Sequence, residues 1–157
     1  MKRPVQQLVA RLLDQSLTIA FAESMTCGLA AHMIGSVPNT SEVFMGSIVC
    51  YDAAVKKSIL KIPDAILKNH SAESAEVTKR LARNLSNHIK ADIYLAVTGL
   101  AAPGGSESKA KPVGTVFHAM QFRGKIYQQR VRYTGTPLQI KKKAVDGMFA
   151  FVTKHIV

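Results

Sequence analysis

The chain has no tryptophan, only 6% aromatic residues and only two cysteines, Cys27 and Cys50, in 157 residues. Two cysteines make neither a disulfide framework nor a zinc site, and their place beside hydroxyl-rich turns fits a reducing compartment. Scarce aromatics leave no stacking platform for bases. No apolar run reaches the length of a membrane span, and Gln6, Gln7, Arg11 and Asp14 interrupt any apolar signal region after the basic start. Acidic residues are few as well, 10 against 21 Lys and Arg, for a formal net charge of +11. From Ser108 to Val145 there is no acidic residue at all, against nine basic ones. Such a skew suits an anionic ligand or nucleic acid, but no nucleic-acid motif accompanies it and a solvated basic face explains it more simply. The five histidines are scattered, with no pair at metal-ligand spacing, so neither metal nor cofactor is expected. The expectation is a soluble, cytoplasmic protein.

What is present is an alternation of helix and strand. Val5, Leu8, Val9, Leu12 and Leu13 fall at helical spacing, which predicts a helix over 4–15. Buried strands are predicted over 16–22, 44–51 and 92–98, and helices over 26–36, 53–60, from Pro63, and from Ser71 or Ser74 through Lys90. Segments 113–122 and 126–133 flank Arg123-Gly124-Lys125 as a hairpin. Thr136-Pro137 is a cap with proline at the first helical position, opening a last helix. With no repeat and no linker, this order predicts one domain over 1–157: a three-layer α/β/α sandwich on a mixed, mostly parallel sheet.

Open α/β sheets collect ligands where strands end and helices begin. Three such ends carry unusual chemistry: Glu23-Ser24-Met25-Thr26-Cys27-Gly28, then Tyr51 with Lys56 five residues on, then Thr98-Gly99 running into Ala102-Pro103-Gly104-Gly105. Ser24 is either a helix cap or a nucleophile. As a nucleophile it needs a base, and a lysine of depressed pKa serves. Lys56 is the candidate, with Lys57 its competitor. Amides at the helix start near Thr26, Cys27 and Gly28 are expected to bind a phosphate or an oxyanion. Cys27 is also a minor alternative nucleophile. Tyr51 is either half-buried packing or a proton relay. Ser41 reads as a turn residue, and the pair Gly104-Gly105 matches no phosphate-loop pattern.

Taken together, Ala22-Glu23-Ser24 with Thr26, a strand ending in Tyr51 with Lys56 beyond it, Gly99…Ala101…Pro103-Gly104-Gly105 and the run Lys111-Pro112-Val113-Gly114-Thr115-Val116 resemble the carboxy-terminal domain of the CinA family. The resemblance runs from about residue 4 to the end of the chain. Stand-alone members of that family include nicotinamide-nucleotide amidases. The resemblance therefore implies metal-free hydrolysis of nicotinamide mononucleotide to nicotinate mononucleotide and ammonia, by a protein that is commonly a dimer. It places the catalytic serine, tyrosine and lysine on Ser24, Tyr51 and Lys56. It places a second site serine on Ser41. Substrate contacts are expected at the neighbouring strand ends, on Thr26, Cys27, Gly28, Gly99, Ala102, Gly104 and Gly105. The sequence departs from the family pattern at Cys27 and Ala102, each replacing glycine, and at Asp52 and Ala53. These departures motivate the alternative of a catalytically silent paralogue that binds a nucleotide or a protein partner.

Overall fold

Strand β1 (Ile19–Glu23) is buried along its whole length, and strand side chains alternate between faces. Ile19 and Phe21 enter one core; Ala20 and Ala22 enter another. A strand with no solvent face needs cover on both sides, and that is the condition for three layers. In the computed structural model, which describes residues 3–156, the cover on the Ile/Phe face comes from α1 (Pro4–Asp14), α2 (Leu29–Gly35) and α6 (Pro137–His155). On the other face, α5 (Ala75–Leu85) lies across β1, β3 (Ile93–Gly99) and β4 (Thr115–Phe122). Ala20, Ala22, Ala96 and Ala119 line that face; small side chains let the helix approach the sheet, and Val77, Leu81 and Leu85 fill the gap between.

With β2 (Phe44–Val49) and β5 (Lys125–Arg132), the sheet order is β2-β1-β3-β4-β5. β1 pairs in parallel with β2 and β3, whereas β4 is antiparallel to both β3 and β5. Four of the five strands therefore run the same way, while the pairings divide two and two. The antiparallel half follows from the hairpin. Arg123 (φ 49°) and Gly124 (φ 74°) both take the left-handed conformation required by a two-residue type I′ turn.

Element ends differ from the expected ones for local reasons. α5 stops at Leu85, not Lys90, because the next amides turn back three residues: Ser86 to Arg83, Asn87 to Asn84 and His88 to Leu85. This tightened turn still delivers Ile89 to the second core. The short helices α3 (Ala53–Ser58) and α4 (Asp64–His70) follow β2. At α6 the cap is as read: the Thr136 hydroxyl accepts from the Gln139 amide at 3.3 Å, and Gln139 returns the bond to the Thr136 amide at 2.8 Å.

One core polar group is left incomplete. His118, 1% exposed, donates from Nε2 to the Ala144 carbonyl of α6 at 3.1 Å, and its Nδ1 has no partner among the described residues. Burial lowers its pKa from 6.5 to about 4, so the ring is neutral at pH 7. On acidification the unfolded chain binds a proton first. Stability is therefore lost from about pH 6.5 down to about pH 4, by about 3 kcal/mol in all. Urea denaturation at pH 7 and pH 4 should show this loss in the wild type. It should be absent from His118→Gln, with exposed carboxylates contributing equally to both proteins.

Candidate active site

The site starts from a carboxylate that never reaches water. Glu23, the last residue of β1, is fully buried. Its Oε2 accepts from Thr26 Oγ1 at 2.7 Å, the Gly28 amide at 3.1 Å and the Ala30 amide at 3.0 Å. Its Oε1 accepts from the Ala31 amide at 2.9 Å and from Ser47 Oγ of β2 at 3.0 Å. The amides that α2 leaves unpaired at its start are thus met by an anion of the chain itself. To bring them round, the chain turns through left-handed Cys27 (φ 51°) and Gly28 (φ 89°). This is why α2 begins at Leu29 rather than at residue 26.

The turn leaves Ser24 4% exposed and facing α3. β2 stops at Val49; the Cys50 amide still bonds the Glu23 carbonyl at 2.7 Å, but the carbonyls of Cys50 and Tyr51 swing away from the sheet. α3 then starts on Asp52, whose side chain accepts from the Ala54 amide at 2.7 Å. The helix carries Lys56 inward. Its Nζ lies 2.9 Å from Ser24 Oγ, 2.7 Å from the Cys50 carbonyl and 3.1 Å from the Tyr51 carbonyl. Lys56 is completely buried. Desolvation holds its pKa below the ordinary 10.5, opposed by the charges of Cys50, Glu73 and Asp52. The competitor Lys57 points outward to Asp64 at 2.7 Å. Asp52 is a helix cap at the surface, not a charge in the cavity.

Beside Ser24 opens a cavity of about 290 Å³. Of the residues expected in the site, Ser24, Tyr51, Gly99, Ala102, Gly104 and Gly105 line it. Lys56 lies behind Ser24 and does not itself line the cavity. Thr26, Cys27, Gly28 and Ser41 do not line it. Thr26 and Gly28 are committed to Glu23, and the Cys27 amide to the Ser24 carbonyl, so Cys27 and Gly28 offer no free amide to an oxyanion. Cys27 is exposed and does not fill the cavity. Ser41 sits on the surface in the 3₁₀ turn Thr40–Glu42. The Met25 amide makes no hydrogen bond within the described residues, and Met25 lines the cavity. The wall also includes groups that sequence reasoning did not reach: Glu73 from the segment before α5, and Pro137 and Lys141 from α6. Lys141 has a signal in the sequence, the acid-free basic run; Glu73 has none.

That basic run is dispersed. Lys111 is pinned to Ser71, Glu73 and Ser106. Arg130 bonds the Ala110 carbonyl and lies over Phe117. Lys143 bonds the Thr134 carbonyl. Among the described residues no three His, Cys, Asp or Glu side chains gather as a metal site, and no helix is long and apolar enough to cross a membrane.

The sequence profile of the CinA C-terminal domain matches residues 2–156. The chain belongs to that family. CinA-like proteins of Thermotoga maritima and Dictyoglomus thermophilum are 36% and 34% identical to it over 153 and 154 residues. These matches cover 97% and 98% of this chain but 37% of either relative. The chain thus spans about a third of the length of the curated relatives it matches. Solved CinA-superfamily proteins are close to its full size. That from Klebsiella pneumoniae aligns with a TM-score of 0.89 at 28% identity, covering 98% of this chain and 95% of its own. The Enterobacter cloacae protein gives 0.91 at 27%, covering 98% and 90%. The five-stranded mixed sheet is the fold of this CinA family.

Replacing Glu23 by Gln keeps its shape but sets an NH₂ group against N–H or O–H donors on one side. The expected loss is about 3 kcal/mol, read as a lower urea midpoint without a change in slope.

Proposed function

We propose that this CinA domain is an amidohydrolase that converts nicotinamide mononucleotide to nicotinate mononucleotide and ammonia. The observation that carries the proposal is the 2.9 Å contact between Lys56 Nζ and Ser24 Oγ at the wall of a cavity. A neutral amine has two N–H bonds and one lone pair. The carbonyls of Cys50 and Tyr51 take the two N–H bonds, which leaves the lone pair for the serine hydroxyl. Desolvation favours this uncharged form.

Ser24 Oγ attacks the carboxamide carbon as its proton passes to Nζ. We assign the Met25 amide, unpaired within the described residues, to the oxyanion, a kind of contact worth about 3 kcal/mol in the transition state. The C–N bond then breaks as the proton moves from Lys56, with Tyr51 assisting, to the leaving nitrogen, and ammonia departs. Water attacks the acyl-serine, releasing the carboxylic acid and restoring the hydroxyl. No redox step or metal is needed. Lys141, a cation on the cavity wall, is the group suited to the substrate phosphate. The Gly104 amide is not, since it donates to Glu107 at 2.8 Å. The reading carries with it a cytoplasmic homodimer and no nucleic-acid partner.

The alternative, a silent paralogue binding a nucleotide or a protein, rests on Cys27, Ala53 and Ala102, of which only Ala102 lines the cavity.

Purified protein should release ammonia from nicotinamide mononucleotide, and Ser24→Ala should slow release by about a thousandfold or more. Equal rates from the two proteins would reject Ser24 as nucleophile. Tight binding without turnover would favour the silent paralogue. Because the base works only unprotonated, kcat/KM should rise with pH and level off below the ordinary lysine value of 10.5. Lys56→Met should abolish the rise along with the activity.

A further inference from the structure

The wall of the cavity that Ser24 lines also carries a carboxylate with no assigned task. Glu73 is half-buried, lines the same cavity as Ser24 and Tyr51, and lies near enough to Lys56 to influence its charge. It is held from two directions. Ser106 Oγ donates to Glu73 Oε2 at 2.5 Å. Lys111 Nζ donates to the Glu73 carbonyl at 2.8 Å, to Ser106 Oγ at 2.7 Å and to Ser71 Oγ at 2.5 Å. One lysine thus ties the segment before α5 to the loop after β3, and the carboxylate is fixed before any ligand arrives. Its second oxygen, Oε1, makes no hydrogen bond within the described residues.

A fixed carboxylate with a spare acceptor, in the same cavity as the proposed serine nucleophile, selects among acyl groups. It accepts from the N–H of a primary carboxamide and attracts a cationic pyridinium ring. It repels a carboxylate at the same place, because two like charges at contact distance cost well over 1 kcal/mol outside bulk water. We propose that Glu73 is the specificity residue of this site: it holds the carboxamide nitrogen of the substrate and drives out the carboxylate product.

The inference rests on the amidase reading but acts at the level of binding, so the two can fail separately. In a Ser24→Ala background, which stops turnover, calorimetric titration gives the affinities for nicotinamide mononucleotide and nicotinate mononucleotide. With Glu73 intact the amide should bind at least about tenfold tighter than the acid. Adding Glu73→Gln, which keeps an oxygen for Ser106, should erase or invert that preference by strengthening acid binding and weakening amide binding. Ser106→Ala, which loosens the tether but retains the carboxylate, should keep the sign of the preference. A merely structural Glu73 would weaken both ligands by the same factor, and that result overturns the proposal. So does a preference unchanged by Glu73→Gln, or binding of neither nucleotide. If the preference depends on Glu73 as stated but wild-type protein releases no ammonia, Glu73 discriminates as proposed and the amidase reading alone falls.

Discussion

Everything at the active edge of the sheet depends on the burial of the Glu23 carboxylate. A buried anion is tolerated only when hydrogen bonds replace its lost water, and here five donors do so. Three of them are backbone amides around the start of α2, one is the Thr26 hydroxyl in the turn, and one is a hydroxyl of β2. The side chain therefore fixes the direction of α2, the shape of the turn and the neighbouring strand together. Ser24 is the residue at which the chain leaves this knot, so its hydroxyl is aimed by contacts of its neighbour rather than its own. An anion-binding helix start is often kept for a ligand; this chain fills it from within and uses it to position the Ser24 hydroxyl.

The second constraint is a lysine folded inward. Burying an amine opposes folding at any pH where it would carry charge. Lys56 is tolerated because two carbonyls abandon the sheet to receive it. β2 consequently ends at Val49, two residues short of the apolar pattern, which runs on through Cys50 and Tyr51. The missing strand residues and the Lys56–Ser24 contact are one structural event. Local rules of strand formation yield where a functional group needs the backbone, which is where such departures are expected.

The layers, the hairpin and the terminal helix were legible because each rests on local pattern: alternation in β1, left-handed turn residues at 123–124, a cap followed by proline at 136–137. Ser24 and Lys56 were legible as candidates because strand ends in such sheets converge, and chain order alone brings them to one edge. What local pattern could not give was the fate of shared donors. Gly28 looked like a free amide because nothing in its neighbourhood says that the glutamate five residues earlier turns back on it. Glu73 was invisible for a related reason: its position is set by Lys111 and Ser106, more than thirty residues away. Ser41 entered the site by resemblance alone; its local sequence already read as a turn, and a surface turn is where it sits.

The two thiols of the chain have opposite surroundings. Cys50 is sealed in the core, its thiol donating to the Glu23 carbonyl at 3.3 Å, and burial raises its pKa. Cys27 stands in solvent on the outer side of the turn, three positions from Ser24 and outside the cavity. A maleimide dye or a spin label should therefore couple at a single place in the unmodified polypeptide, leaving that cavity unobstructed. The native sequence thus contains its own attachment point for a reporter of motion in the segment that presents the hydroxyl.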